Sequence, residues 1–218
     1  MSDVGLYEAQ SSCRAVRRQR PDPIPDDVLR RVLRAATWAP SGGNTQPWRI
    51  VVVRDAARRR ALRELYEPLW RRYAKTYRTA TAELDGDAAA RRDRMMAAAD
   101  HLARHFDRSP VIAVFCFRPD LLAITDAGLG RASVVGGASI YPAVQNLLLA
   151  CRAEGLGCVL TTLLCQAEAE VKSLLEIPDP WATAAAIPIG SPEGKGHGPL
   201  SRRPVERMAF LDRFGDAL

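Results

Sequence analysis

The chain has 218 residues, 47% of them hydrophobic and 26% charged, which suits one globular domain over residues 1–218 with a substantial core. Its formal charge of +6 is carried almost wholly by arginine, with lysine only at 75, 172 and 195, and the arginines are interleaved with acids. That pattern reads as solvated helix faces rather than a stripe tracking phosphates, so no nucleic-acid partner is expected.

Taken in chain order, "MSDVGLYEAQSSCRAVRRQR" has no apolar run of the signal-peptide kind, and a cytoplasmic protein is expected. The five cysteines, 13, 116, 151, 158 and 165, include no CxxC pair and have no histidine cluster nearby. Neither a disulfide framework nor a zinc site is expected from them, and no metal is assigned. In "RAVRR", Arg14 and Arg17 have the spacing that puts two side chains on one face of a helical turn, from which planar guanidinium forks can hold a phosphate or an electron-rich ring edge.

From Asp26 to Trp38, Val28, Leu29, Val32, Leu33 and Ala36 recur at helical spacing, and Pro25 with two aspartates suits the helix start. "APSGGNTQPW" then leads into a buried strand, "RIVVVRD". Gly and Asn in that turn permit positive φ, while the glycines leave backbone N–H groups bare and the amide side chains can pair with a planar heterocycle. Arg- and Ala-rich helices are expected over about 56–82 and 88–106, followed by a central strand, "VIAVFCF". His101 and His105 are spaced i, i+4 without a third ligand and read as a partly polar helix face.

Ser133 to Cys151 is uncharged for nineteen residues, long enough to span a bilayer. Gly136, Gly137, Ser139, Pro142, Gln145 and Asn146 within it point instead to a helix of about 133–154 buried between other protein elements, so no membrane partner is expected. A glycine stop, "EGLGC", precedes an expected strand "CVLTTLL", a helix at 166–176 and a last strand "TAAAIPIG". The order predicts an α+β domain with helices covering a sheet.

Four segments in this order resemble the nitroreductase family of FMN-dependent oxidoreductases: "RAVRRQRPDPIPDDVL", "APSGGNTQPWR", "ASIYPAVQNLLLACRAEGLG" and "IPIGSPEG" with the later "RRPVE". The resemblance implies a mixed, mostly antiparallel central sheet, non-covalently bound FMN, NADH or NADPH as hydride donor, and a homodimer with the flavin at the subunit interface. It assigns Arg14, Ala15, Arg17 and Arg18 to the flavin, with Arg17 at the pyrimidine edge, and Arg202 to the 5′-phosphate. Pro40, Ser41, Gly42, Asn44 and Ser139 are implied as contacts given by the second subunit. Leu160, Thr161 and Thr162 match the place where backbone N–H groups face the flavin N5, and Trp48 is expected to anchor the turn in the core. The implied reaction is ping-pong reduction of a nitroaromatic, a quinone or a similar small acceptor, with a variable helical cover at about 66–107; the alternatives it leaves are another reaction on the same fold and flavin (ene reduction, dehalogenation, azoline oxidation or flavin fragmentation) and a non-catalytic flavin-binding protein. Two positions depart from the pattern: Ala15 stands where serine is common, and Gln19 where an aromatic residue is common. The acid or amide common near N5 is not evident, and no catalytic residue is assigned.

Overall fold

A computed structural model describes residues 4–218. Five antiparallel strands form the sheet: β1 (Gln19–Arg20), β2 (Trp48–Val53), β3 (Val111–Phe117), β4 (Gly157–Cys158) and β5 (Ala182–Pro192). The path runs β1, β5, β3, β2, with β4 also paired to β5. The helices are α1 (Leu6–Ser12), α2 (Asp26–Thr37), α3 (Ala56–Ala80), α4 (Gly86–Arg104), α5 (Tyr141–Ala153) and α6 (Glu168–Leu175).

The near-continuous apolar character of β3 follows from its position. Val111, Ala113 and Phe115 face one core with Leu29, Val32 and Ala36 of α2 and Val144 and Leu147 of α5. Ile112, Val114 and Cys116 face a second core with Leu62 and Trp70 of α3, Leu102 of α4 and Val171 of α6. Successive side chains of a strand point to opposite faces, so covering both faces requires an apolar residue at every position. Trp48 is buried in the first core and pairs across the sheet with Phe117. The expected anchor of the glycine-rich turn is therefore in place.

Three expectations are corrected. Residues 14–18 are extended rather than a helical turn; α1 ends at Ser12, and the Val16 N–H donates to the Cys158 carbonyl at 2.9 Å. The long helix expected from 133 begins only at Tyr141, with Pro142 in its first turn, and a one-turn 3-10 helix at Val135–Gly137 precedes it. Pro is well suited to that first turn because its missing N–H would have had no helical acceptor. Among the described residues, no helix is long and apolar enough to cross a membrane.

The third correction is "CVLTTLL", which is not a continuous strand. Gly157 and Cys158 pair with Gly190 and Ile189, Thr161 makes an isolated bridge with Ala186, and residues 163–167 turn into a 3-10 helix. The three pairs keep one register, which would set Val159 opposite Pro188. Proline has no N–H to donate, so the ladder is broken there. The Thr161 N–H and carbonyl exchange bonds with Ala186 at 3.0 and 2.9 Å. By the alternation of an antiparallel ladder, the Leu160 groups then point away from β5. The Leu160 N–H has no partner among the described residues.

Candidate flavin site

Three chain segments meet beside this break in the ladder. The extended 13–17 segment is fixed by Val16, and the buried Gln19 side-chain amide donates to the carbonyls of Val16, Gly157 and Pro188 at 3.0, 3.2 and 3.2 Å. Gln19 thus clips the first segment to β4 and β5, a role that its residue type alone did not disclose. The third segment, after β5, crosses the end of α1 just ahead of the first: the Gly198 and Leu200 N–H groups donate to the Ser12 and Ser11 carbonyls at 3.2 and 3.0 Å. His197 reaches the Leu156 carbonyl at 2.8 Å.

These crossings border a cavity of about 590 Å³ lined by Arg14, Ala15, Arg17, Leu160 and Arg202, with no carboxylate in its wall among the described residues. Arg17 is half-buried, and neither an ion-pair nor a hydrogen-bond partner is found for its guanidinium among the described residues. Burial pushes its pKa below the ordinary arginine value, and the Tyr66 phenol offsets part of this. Burial likewise raises the Tyr66 pKa, with the Thr161 hydroxyl and Arg17 pulling it back. A partly desolvated guanidinium lacking a counter-charge is unfavourable unless an anionic or acceptor-rich group completes its surroundings.

A second cavity of about 280 Å³ shares Arg17 and Leu160 with the first and adds Thr161, Thr162 and aromatic residues of α3. Six of the assigned residues, Arg14, Ala15, Arg17, Leu160, Thr161 and Thr162, therefore line two adjoining spaces, with Arg202 in the larger one. Arg18 lines neither; its Nη1 lies 3.0 Å from Nδ1 of His101 on α4. Arg203 is exposed and outside both cavities.

The glycine-rich turn is elsewhere. Pro40, Ser41 and Gly42 line a cavity of about 570 Å³ together with Ser139, whose Oγ accepts the Gly42 N–H at 3.0 Å. It shares no lining residue with the arginine cavity. Asn44 is outside that lining, exposed, with its Oδ1 accepting from Gln46 Nε2 at 3.1 Å. Gly43, Asn44 and Gln46 all have positive φ, at 57°, 54° and 46°. Gly pays nothing for that conformation and Asn little, whereas a residue such as Gln is held there by its surroundings. The Gln46 N–H donating to Ser41 Oγ at 3.0 Å supplies part of that hold.

The chain as a whole has known relatives. A family model described as the nitroreductase family matches residues 11–191. The chain is 34% identical over 200 residues to a protein named NADH dehydrogenase from Thermus thermophilus, covering 90% of this chain and 91% of that one. It is also 34% identical over 203 residues to a 5,6-dimethylbenzimidazole synthase of Rhodospirillum rubrum, covering 92% and 86%. Among solved structures, iodotyrosine deiodinase bound to FMN and 3-iodo-L-tyrosine superposes with a TM-score of 0.67 at 23% identity, covering 97% of this chain and 99% of that one. An FMN-bound nitroreductase from Desulfitobacterium hafniense gives a TM-score of 0.67 at 17% identity, covering 94% and 97%. These two likenesses bear on the fold alone, while the family model and the sequence relatives carry the assignment: the chain belongs to the nitroreductase family.

Proposed function

We propose that this chain is an FMN-dependent oxidoreductase that takes hydride from NADH or NADPH and passes electrons to a nitroaromatic, a quinone or a similar small organic acceptor. The observation that carries the reading is the acid-free cavity walled by Arg14, Arg17 and Arg202. Guanidinium forks match a phosphate monoester and an electron-rich ring edge, and a cavity without carboxylates leaves their charge for the ligand. When bound, FMN supplies the redox chemistry, accepting hydride from the donor and returning electrons to the acceptor.

The residues of this chain bind and orient. Arg202 and Arg14 hold the phosphate end, and Arg17 holds the pyrimidine edge, where its charge favours the reduced state. The Leu160 N–H, which points away from β5 by the alternation of the ladder, offers an uncommitted donor at the position assigned to N5. The turn at Pro40–Asn44 and Ser139 would act on the flavin of a second subunit, because their cavity in one chain is separate from the arginine cavity. Five unbridged cysteines fit a reducing cytoplasm.

Purified protein should carry a yellow, non-covalent flavin band that NADH or NADPH bleaches and an acceptor restores under anaerobic conditions. A colourless protein that takes up no FMN would defeat the proposal, and a flavin band indifferent to both donors would leave a binding protein rather than an enzyme. A second reading keeps the flavin and changes the reaction. The relative named 5,6-dimethylbenzimidazole synthase, aligned over 92% of this chain, favours including it. Loss of the flavin itself on aerobic turnover, with dioxygen consumed and no organic acceptor reduced, would select that reading.

A further inference from the structure

The smaller cavity has, opposite the residues assigned to the flavin, an aromatic wall that the flavin assignment does not use. Tyr66, Trp70, Tyr73 and Tyr77 recur on α3 at intervals of four, three and four, which places them along one face. Such a stripe is ordinarily helix packing, and Tyr66 behaves so: it is 3% exposed and stacked on Phe106 with centroids 4.5 Å apart. Trp70, 8% exposed, also packs in the second core, and Tyr77 lies against it. Trp70, Tyr73 and Tyr77 stand in series, with centroids 5.7 and 6.2 Å apart, and Tyr73 remains 48% exposed.

Together with Met95 and Met96 of α4 these rings wall the 280 Å³ space. The indole N–H of Trp70 is already committed, donating to Asp100 Oδ1 at 2.8 Å, while Arg78 holds the other Asp100 oxygen at 2.7 Å. Neither Asp100 nor Arg78 lines the space, so the wall given by α3 and α4 presents ring and thioether surface together with the phenol groups of its tyrosines. Its other wall holds Leu160, Thr161, Thr162 and Arg17, and among the described residues Arg17 is the only charged one in the lining. An apolar cavity of about 150 Å³ already holds benzene, so a space of about 280 Å³ has room for a substituted ring.

We propose that this cavity binds a single planar aromatic ring bearing an anionic substituent, with the ring among Trp70, Tyr73 and Tyr77 and the anion toward Arg17. Arg17 borders both cavities, and the five N–H donors of its planar fork suffice to serve a flavin edge and a ligand anion together. The proposal rests on the oxidoreductase reading and narrows its acceptor to arenes of this kind.

The test uses flavin-loaded protein titrated calorimetrically with 4-nitrobenzoate, with its neutral counterpart 4-nitrobenzamide, and with cyclohexanecarboxylate, which keeps the charge and lacks the ring. Flavin content is read from the visible band of the same samples. A charge-assisted bond to Arg17 predicts at least about tenfold tighter binding of the benzoate than of the amide. Ring stacking predicts at least about threefold tighter binding than for the saturated acid. Tyr73→Ala, at a partly exposed position outside the arginine cavity, should weaken 4-nitrobenzoate by about threefold to tenfold with melting temperature and flavin content unchanged.

Equal binding of benzoate and amide, equal binding of arene and saturated acid, or an unaffected Tyr73→Ala variant would each overturn the proposal. Loaded flavin without ring binding would sink this inference and leave the oxidoreductase reading standing. Tyr73-dependent ring binding by a protein that retains no flavin would do the reverse.

Discussion

Arg17 and Arg202 are separated by most of the chain, and the two ask different things of a ligand. Reduction of a flavin places negative charge at its pyrimidine edge, so a guanidinium there stabilises the reduced form more than the oxidised one. Arg17→Gln should therefore lower the two-electron potential: a loss of about 1–2 kcal/mol corresponds to roughly 20–45 mV. Stopped-flow reduction by NADH or NADPH should slow in parallel, and an unchanged potential would remove Arg17 from that edge. At the phosphate end, Arg202→Ala should weaken FMN retention by about 1.5–3 kcal/mol, while Arg203→Ala, outside the cavity, should leave it near wild type. Equal flavin loss from the two variants would reverse the assignment.

At the scale of elements, the 13–17 segment is held against β4 with almost no spare room. A Cβ on Gly157 would sit 2.6 Å from Val16 Cγ1 and 2.9 Å from Val16 Cβ, and Val16 is buried and β-branched. Gly157→Ala should push Val16 outward, at a cost of about 1–3 kcal/mol in stability, and carry Arg14 and Arg17 with it. Thermal unfolding and FMN titration of the variant check both parts, and a variant that melts and binds like wild type would contradict the close approach. The same region shows where sequence reading succeeds and fails. α2, α3 and α4 and strands β2, β3 and β5 were legible because their periodicity or uniform burial is local information. "CVLTTLL" has strand propensity at every position, yet what breaks it is Pro188, a partner remote in sequence. "RAVRR" has helical spacing, yet a backbone bond to Cys158 and the buried amide of Gln19 hold it extended. Of the candidate site, the turn was visible through its glycines and Asn44. The grouping of Arg14, Arg17 and Arg202 depends on long-range crossings that no local pattern encodes.

The whole molecule leaves apolar surface uncovered. Trp38 at the end of α2, Val134 before α5, and Val205, Met208, Leu211 and Phe214 near the C-terminus are all exposed, Phe214 at 95%. Where such groups form one contiguous patch, they mark an association surface. A homodimer should appear in sedimentation at micromolar concentration, with a well-packed interface above about 2,000 Å² in total. A flavin-loaded monomer under those conditions would count against both the dimer and the placing of the turn on a neighbour's flavin.

The separation of the arginine cavity from the Pro40–Ser139 cavity has a genetic corollary. If each flavin is gripped by arginines of one chain and the turn of the other, damage to the two halves lies on different chains of a mixed pair. Arg202→Ala would spoil the first half, and Gly43→Val, forcing a β-branched residue to a φ of 57°, the second. Each homodimer would be defective, but a symmetric dimer containing one chain of each kind has one site in which both halves are intact. Co-expression of the two in equal amounts should then restore about a quarter of wild-type sites, as random pairing of chains across a two-fold axis dictates. Recovery no better than the sum of the two separate variants would mean that each chain builds its site alone.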